Sequence, residues 1–239
     1  MLSRPGVSPL AYRSATAVGV ASFLVTSHWW FPDGAERAER QYVLVTGLGY
    51  GHLLGALRGA RRPGSAAPAW RAFVALTLAT GFVLYLEAVS HWPAVAFVLL
   101  ALPVWHFTEN DVALARALRT GGQLGPLPGR PRDHVVPVAA AACVVGVALL
   151  VSPDPGRLGD LFAATTLFHL LGWCVFLLGR GTGLAQLLWL HAPPLALGAW
   201  LAGGHAEWLG RWLFTPGVYL YWASIHVLHT GWLRRPAGA

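Results

Sequence analysis

Eight apolar stretches, each about 20 residues long, take up most of the chain and leave little room for a soluble domain. A helix needs about 20 mostly apolar residues to cross a bilayer. Short segments rich in Pro, Gly and Arg separate the stretches, as expected of loops. The sequence therefore predicts an all-α, polytopic integral membrane protein with one transmembrane domain, 1–239. The predicted spans are 11–30, 41–58, 70–90, 93–115, 134–151, 160–179, 183–203 and 212–233.

The charged residues support this interpretation and orient the chain. They make up 11% of the sequence, against about 25% in an average soluble domain. All 17 Lys and Arg positions are Arg, and the eight-span arrangement places 13 on one side and 4 on the other. Because cytoplasmic loops are rich in Arg, we expect both termini to be cytoplasmic, in a bacterial inner membrane or its equivalent. The Arg residues lie between apolar runs, so no nucleic-acid partner is expected. The absence of Lys excludes a retinal Schiff base.

Five of the 10 histidines lie at one predicted depth of the bilayer. They come from all four even-numbered spans, which run in the same direction. Counted back from the first Arg at the cytoplasmic end of each span, they lie 5 to 11 residues away, so their depths agree within about 9 Å. Ionisable residues inside a membrane are costly and indicate function. The five are His52, His106, His169, His226 and His229.

Imidazole is a common protein ligand for iron, zinc and copper. His226 and His229 are three residues apart, so they share a helix face and can reach the same ion. With only 2 Cys in the chain, an iron–sulfur cluster is not favoured. The sequence predicts a metal site, with haem ligation and a structural or proton-relay role of the histidines as alternatives.

Three further residues are predicted to lie close to the histidines. Asp111 follows His106 by five residues, and we expect it either to accept a hydrogen bond from a ligand imidazole or to pair with Arg116 or Arg119. Tyr219 and Trp222 lie within two turns of His226 and are predicted to line a substrate pocket.

The spacing of three glycines and one Pro-Pro pair lead to two further predictions. Gly47, Gly51 and Gly55 are spaced by four and form one smooth stripe, which favours close helix packing or a groove for a flat lipid tail. Pro193-Pro194 in the seventh span predicts a break or kink in that helix.

Three segments resemble motifs of the membrane β-carotene dioxygenase family of bacteria and archaea (the Brp/Blh type). Residues 51–57 are a loose counterpart of the family's His-Gly-Ala-Leu-Asp run, without the Asp. Residues 106–111 fit its His-Phe motif followed by three residues and Asp. The aromatic segment 219–229 is similar to the third motif, although its two histidines are three apart rather than four.

The resemblance implies a membrane-embedded non-haem iron oxygenase acting on a lipid-soluble isoprenoid or polyene, such as a carotenoid, taken from the bilayer. Two other functions stay open: a haem b or quinone-linked electron-transfer protein, and a non-catalytic subunit of a larger membrane complex. The resemblance implies Fe²⁺ held by His52, His106, His226 and His229, with His169 as a fifth ligand or substrate-side group and Asp111 orienting a ligand.

Overall fold

The computed structural model describes residues 8–59, 75, 77–79, 81, 93–120, 131–179, 181–205, 208, 214, 218–219, 222–223 and 225–227. This part of the chain is helical with short loops and contains no strand, which confirms the all-α fold class. The helices with full bounds are α1 (Pro9–Trp30), α2 (Gly34–Gly59), α3 (Pro93–Thr120), α4 (Pro131–Val151), α5 (Pro155–Gly179) and α6 (Leu184–Ala202).

Each of these six helices overlaps one of the predicted apolar stretches, and α2 begins seven residues before its stretch. Within the described residues, two helices are long and apolar enough to cross a membrane, Pro155–Gly179 and Leu184–Leu201. The predicted span at 70–90 and much of that at 212–233 lie outside the described residues. In the latter region we refer to 218–227 as the Tyr219 segment, in which the described positions are helical.

Side-chain caps fix where the first, second and fifth helices begin. Ser8 Oγ accepts a hydrogen bond from Ala11 N at 3.1 Å, and Pro9 takes the first helical position of α1. Asp33 accepts from Glu36 N at 2.8 Å at the start of α2. Asp154 does the same for Arg157 N at 3.1 Å, ahead of Pro155. These caps satisfy amide groups that have no partner inside the helix.

The contacts between helices show their relative directions. Gln41 of α2 bonds to Asp160 of α5 at one level, and His52 approaches His169 eleven residues further along α2. The two helices therefore run parallel. In contrast, α6 is antiparallel to α2, because Gly51 packs on His191 whereas the earlier Gly47 packs on Pro194. Such alternation agrees with the predicted order of spans.

The Gly stripe serves close packing at two of its three predicted positions. A Cβ atom at Gly47 would lie 2.8 Å from Pro194 O, and one at Gly51 would lie 2.9 Å from His191 Cα. Both positions bring the backbones of α2 and α6 together. Helix α6 continues through Pro193 and Pro194, so of the predicted break or kink the break is wrong and the kink stays a prediction, with two amide donors of the helix lost there.

Polar side chains concentrate inside the bundle, while many large apolar side chains lie on its surface. Soluble proteins show the opposite arrangement and rarely expose large apolar patches. The buried polar residues among the described part of the chain are Thr16, Ser27, Arg37, Gln41, Thr46, His52, His106, Asn110, Thr166, His169 and His191. The exposed apolar residues include Val18, Val25, Trp29, Trp30, Val136, Val138, Leu150, Leu188, Trp189 and Trp200.

Candidate metal centre

Four histidines from four chain segments meet inside the bundle. His52 lies on α2, His106 on α3, His169 on α5 and His226 on the Tyr219 segment. His106 and His169 are 1% and 5% exposed, and His52 is 7% exposed. Because α2 and α5 run in the same direction, His52 and His169 reach the same level. We call these four residues the histidine centre.

The four side chains approach one another through the same ring nitrogen. The Nε2 atom of His52 lies 3.1 Å from that of His226 and 3.3 Å from that of His169. The Nε2 atom of His106 lies 3.3 Å from that of His226. In the group His52, His169 and His226, the potential ligand atoms all lie within 4.8 Å of one another. The group can hold a metal ion.

Hydrogen bonds among the rings do not account for this arrangement. A neutral imidazole nitrogen carries either a proton or a lone pair in the ring plane. The Nε2 atoms of His52 and His226 each have two Nε2 neighbours, but each can satisfy only one of them. A cation between the rings would instead accept the lone pairs of His52, His169 and His226, the three residues whose ligand atoms lie close enough to share it.

The distances match those of ligands around one ion. A metal–imidazole bond measures about 2.0–2.1 Å, so neighbouring nitrogens lie about 3.0 Å apart in octahedral and about 3.4 Å apart in tetrahedral coordination. The observed Nε2–Nε2 separations of 3.1 and 3.3 Å fall between these values. The donor atoms and the short separations are therefore compatible with a metal ion held by His52, His169 and His226.

Asn110 is a further polar residue at the centre, and no role was predicted for it. Its Nδ2 atom lies 2.9 Å from His106 Nε2, and the residue is 3% exposed. It follows His106 by four residues, so the two share a helix face. That spacing is visible in the sequence and identifies Asn110 without a structure.

Asp111 turns toward α1 rather than toward the histidines. Arg13 Nη2 donates to Asp111 Oδ2 at 2.6 Å. The ion pair predicted with Arg116 or Arg119 is therefore replaced by one with Arg13. The carboxylate links α1 to α3, and within the described residues it is Asn110 that contacts a ring of the centre.

Aromatic rings hold two of the histidines in place. Phe107 stacks on His169 with ring centroids 4.4 Å apart, and Trp173 packs edge-on against His52 at 5.6 Å. A cavity of about 20 Å³ lies against His52, His169 and His226. About 10–15 Å³ is enough for one water molecule, so the cavity has the size of a single ion or a small molecule such as O₂. It is also lined by Gly49, Leu53, Phe107, Thr166, Leu170, Tyr219, Ala223 and Val227.

Of the three remaining predicted site residues, the structure describes Tyr219 and Trp222. Tyr219 lines the small cavity and is 7% exposed, and its role in a substrate pocket stays a prediction. Trp222 lies on the same segment and is partly buried. His229 lies outside the described residues.

An apolar groove of about 470 Å³ lies beside the centre, between α2 and α6. Its wall includes Tyr50, whose ring meets that of Tyr219 edge-on with centroids 6.1 Å apart. Because Tyr219 also lines the histidine cavity, these two rings separate the groove from the centre. The groove is lined by Tyr50, Leu54, Trp189, Leu190, Pro193, Pro194, Leu197 and Phe214.

Comparison with known proteins gives no relative for this chain. No family model matches the sequence, and no curated protein or solved structure is significantly similar to it.

Proposed function

We propose that this protein is an integral membrane oxygenase of about eight transmembrane helices, with one non-haem iron ion at the histidine centre. Its substrate would be a lipid-soluble isoprenoid or polyene such as a carotenoid. The observation that carries the proposal is the approach of four imidazole Nε2 atoms, from four segments, to within 3.1–3.3 Å of a neighbour.

The surface of the bundle supports placement in a membrane, with a bacterial inner membrane as the proposed location. Two apolar helices are long enough to span a bilayer. Trp29 is 84% exposed and Leu150 is 82% exposed, whereas several polar residues, such as Gln41, His106 and Thr166, are buried among the apolar ones of the interior. In lipid, outward apolar side chains are favourable and inward polar ones mark functional sites.

The donor set favours iron, zinc or copper, since the ligand atoms are imidazole nitrogens. Iron is proposed because the resemblance of the sequence motifs is to iron oxygenases. When bound, a ferrous ion held by histidines with open positions supplies the activation of O₂. The protein's own residues would fix the ion, exclude bulk water and orient the rings. Phe107 and Trp173 hold ring planes, and Asn110 contacts His106.

The groove between α2 and α6 supports a long apolar substrate. Its 470 Å³ volume lies within the range of about 300–1,000 Å³ typical of small-molecule pockets. A polyene in the groove would place a double bond near the Tyr50–Tyr219 boundary. In the proposed reaction the C=C bond breaks and each carbon takes one atom of O₂, giving two carbonyl products. O₂ accepts the four electrons that the two carbons lose, so no other reductant or proton is needed.

The size of the centre argues against the haem alternative. A porphyrin needs a pocket of several hundred Å³, whereas the cavity against the histidines measures about 20 Å³. The third hypothesis, a non-catalytic subunit with packing histidines, gives no reason for four like nitrogens to converge.

Metal analysis and an activity assay on the purified full-length protein test the proposal. We expect close to one iron per chain, no Soret band, and loss of polyene absorbance with β-carotene under air but not under argon. A chain that stays below a few tenths of a metal equivalent after iron supplementation would contradict the metal centre. Bound iron without oxygen-dependent loss of any polyene tested would contradict the oxygenase assignment while leaving the metal centre intact.

A further inference from the structure

We propose that Tyr12 of α1 is a positioning residue of the histidine centre. Its ring lies between α3 and α5 and sets the separation of these two helices directly beyond His106 and His169. The inference deepens the proposed function, because the effect of Tyr12 on metal binding rests on the metal centre. Its effect on the positions of the two histidines does not depend on a metal.

The burial of Tyr12 is the first observation. Tyr12 is 1% exposed, although it lies in the first turn of α1. It belongs to an apolar cluster with Leu114 and Ala117 of α3 and with Phe176 of α5. Protein interiors are close-packed, and the side chains at a contact determine how near two helices come. The size of this one ring therefore sets the distance between α3 and α5.

The hydroxyl end of the ring is fixed to both helices. A Cβ atom at Gly172 of α5 would lie 2.6 Å from the Tyr12 hydroxyl oxygen, so the ring reaches this position only because residue 172 is glycine. On the side of α3 the hydroxyl donates to the Asp111 carboxylate. The same carboxylate accepts from Arg13 Nη2 at 2.6 Å. These contacts hold the phenol in one place between the two helices.

The contacts of Tyr12 lie close to two histidines of the centre. Asp111 follows His106 by five residues, about 7.5 Å along α3. Gly172 follows His169 by three residues, about 4.5 Å along α5. The rings of His106 and His169 lie with their centroids 5.4 Å apart. Because packed helices move as rigid elements, a change in their separation at Tyr12 moves these two rings relative to each other.

Such a movement acts on a possible metal ligand. His169 belongs to the group of three histidines that can hold an ion. Its ring is held from α3 by Phe107, which stacks on it with centroids 4.4 Å apart. A shift of α3 against α5 displaces Phe107 from His169 and leaves the imidazole free to turn. Tyr12 thus acts on the centre through Phe107 and His169 without touching the ion.

The direct test is a structure of the full-length Tyr12→Leu variant without metal. Leu is shorter than the phenol and reaches neither Gly172 nor Asp111, so α3 and α5 lose the residue that separates them. We expect the centroid distance between His106 and His169 to depart from 5.4 Å by about 0.5 Å or more, the tolerance of a ligand geometry. A distance that stays within this tolerance would overturn the proposal.

The visible spectrum of the Co²⁺-loaded protein gives a second readout, because its bands depend on coordination geometry. We expect Tyr12→Leu to shift the bands and to weaken Co²⁺ binding about 10-fold or more. Tyr12→Phe keeps the ring, so it should keep the bands and an affinity within about 3-fold of the unchanged protein. Unchanged bands in Tyr12→Leu, or equal shifts in both variants, would overturn the role of the ring.

Gly172→Ala is the second variant, for the case that Tyr12→Leu does not fold. The added Cβ would lie 2.6 Å from the Tyr12 hydroxyl oxygen and pushes the same ring from the side of α5. We expect it to shift both the positions of the two histidine rings and the Co²⁺ bands. A variant with neither shift would contradict the proposal.

The matched control is Val20→Ala on the same helix. Val20 is 9% exposed and packs with Val45 of α2 and with Ala163 and Leu167 of α5, in a cluster whose described members include none from α3. Its Tm should fall while the Co²⁺ bands and affinity stay unchanged. Equal spectral changes in Val20→Ala and Tyr12→Leu would mean general destabilisation and would overturn the proposal. If the unchanged protein bound no Co²⁺, the metal centre would be contradicted, and the metal-free structure would still decide whether Tyr12 positions the histidines.

Discussion

The Asp160 cluster (His28, Arg37, Gln41 and Asp160) and the histidine centre lie at two levels of the same parallel pair of helices, α2 and α5. The polar atoms at the two levels find their partners in different ways. At the Asp160 level, one carboxylate meets Arg37, His28 and Gln41, so donors face an acceptor. At the level of His169, nine residues or about 13.5 Å further along α5, four like nitrogens face one another.

That difference separates a structural cluster from a binding site. Opposite charges and matched donors complete one another, so the Asp160 cluster needs no ligand and holds α1, α2 and α5 together. Imidazole nitrogens can complete one another only in pairs, so the histidine centre keeps nitrogens that a cation could bind. If this comparison is correct, substitutions at the first level should change stability, and those at the second should change metal affinity.

The largest expected effect is on metal affinity at the histidine centre. His52→Ala removes one ligand nitrogen, and loss of supporting partners alone already weakens metal binding by about 10–100-fold. We therefore expect at least a 100-fold weaker affinity, measured by competition with a chelator. The control is His205→Ala, since His205 is exposed and stacks on Trp200 away from the centre. If the His52→Ala and His205→Ala variants bound metal with equal affinity, the histidine centre would not differ from the Asp160 cluster as a metal-binding site.

The next effect is on the stability supplied by the Asp160 cluster. Asp160→Ala leaves the Arg37 side chain, which is 9% exposed, without its carboxylate. Breaking a fully buried pair costs about 3–5 kcal/mol; with Asp160 23% exposed, we expect a loss of about 2–3 kcal/mol. Thermal unfolding in detergent measures it, and metal content should not change. Glu36→Ala, which removes a more exposed pair with Arg40, should cost less than about 1 kcal/mol. If the Asp160→Ala variant also lost metal, the Asp160 cluster and the histidine centre would not be independent of each other.

Glycines at the two levels offer a finer comparison. A Cβ atom would lie 2.9 Å from His191 Cα at Gly51 and 2.6 Å from Ala38 Cβ at Gly159. Each change to Ala should cost about 1–3 kcal/mol through overpacking. Only Gly51→Ala should also weaken metal binding, because it displaces the residue next to His52.

The control for both is Gly146→Ala on α4, where nothing lies within 4 Å of the added Cβ. Ala is the better helix former, so this variant should gain up to about 1 kcal/mol. A similar loss of stability in all three variants would mean that helix propensity or detergent, rather than close contact, controls the result.

The smallest expected effect distinguishes two neighbouring residues of α3. Asn110→Ala removes the amide that lies 2.9 Å from His106 Nε2. Because that amide and an ion would compete for the same ring nitrogen, the variant should bind metal as tightly as the unchanged protein or up to about 10-fold more tightly. Asp111→Asn weakens the ion pair with Arg13, whose side chain is 50% exposed, and should change affinity by less than about 3-fold. A fall in the metal affinity of Asn110→Ala in a chelator titration would mean that Asn110 supports the ion instead of competing with it.

The helices and the level of the histidines could be predicted from sequence because both depend on local features. Apolar length and the caps at Ser8, Asp33 and Asp154 determine where helices begin. Counting residues from the flanking Arg positions put His52, His106, His169 and His226 at a common depth, and the structure brings these four together.

The partners within each level could not be predicted in the same way, because they depend on which helices are neighbours. Asp111 finds Arg13 only because α1 packs against α3. The stacking of Phe107 on His169 and the meeting of Gln41 with Asp160 depend equally on tertiary contacts. The continuity of α6 through Pro193 and Pro194 shows helix packing prevailing over local preference.

X-ray absorption at the metal edge of the purified, metal-loaded protein tests the central claim most directly. We expect a first shell of nitrogen and oxygen at about 2.1 Å with the multiple-scattering signature of at least three imidazoles, and loss of one imidazole in His169→Ala. A first shell without imidazole scattering, or a spectrum unchanged by His169→Ala, would contradict the claim that the histidine centre binds the ion.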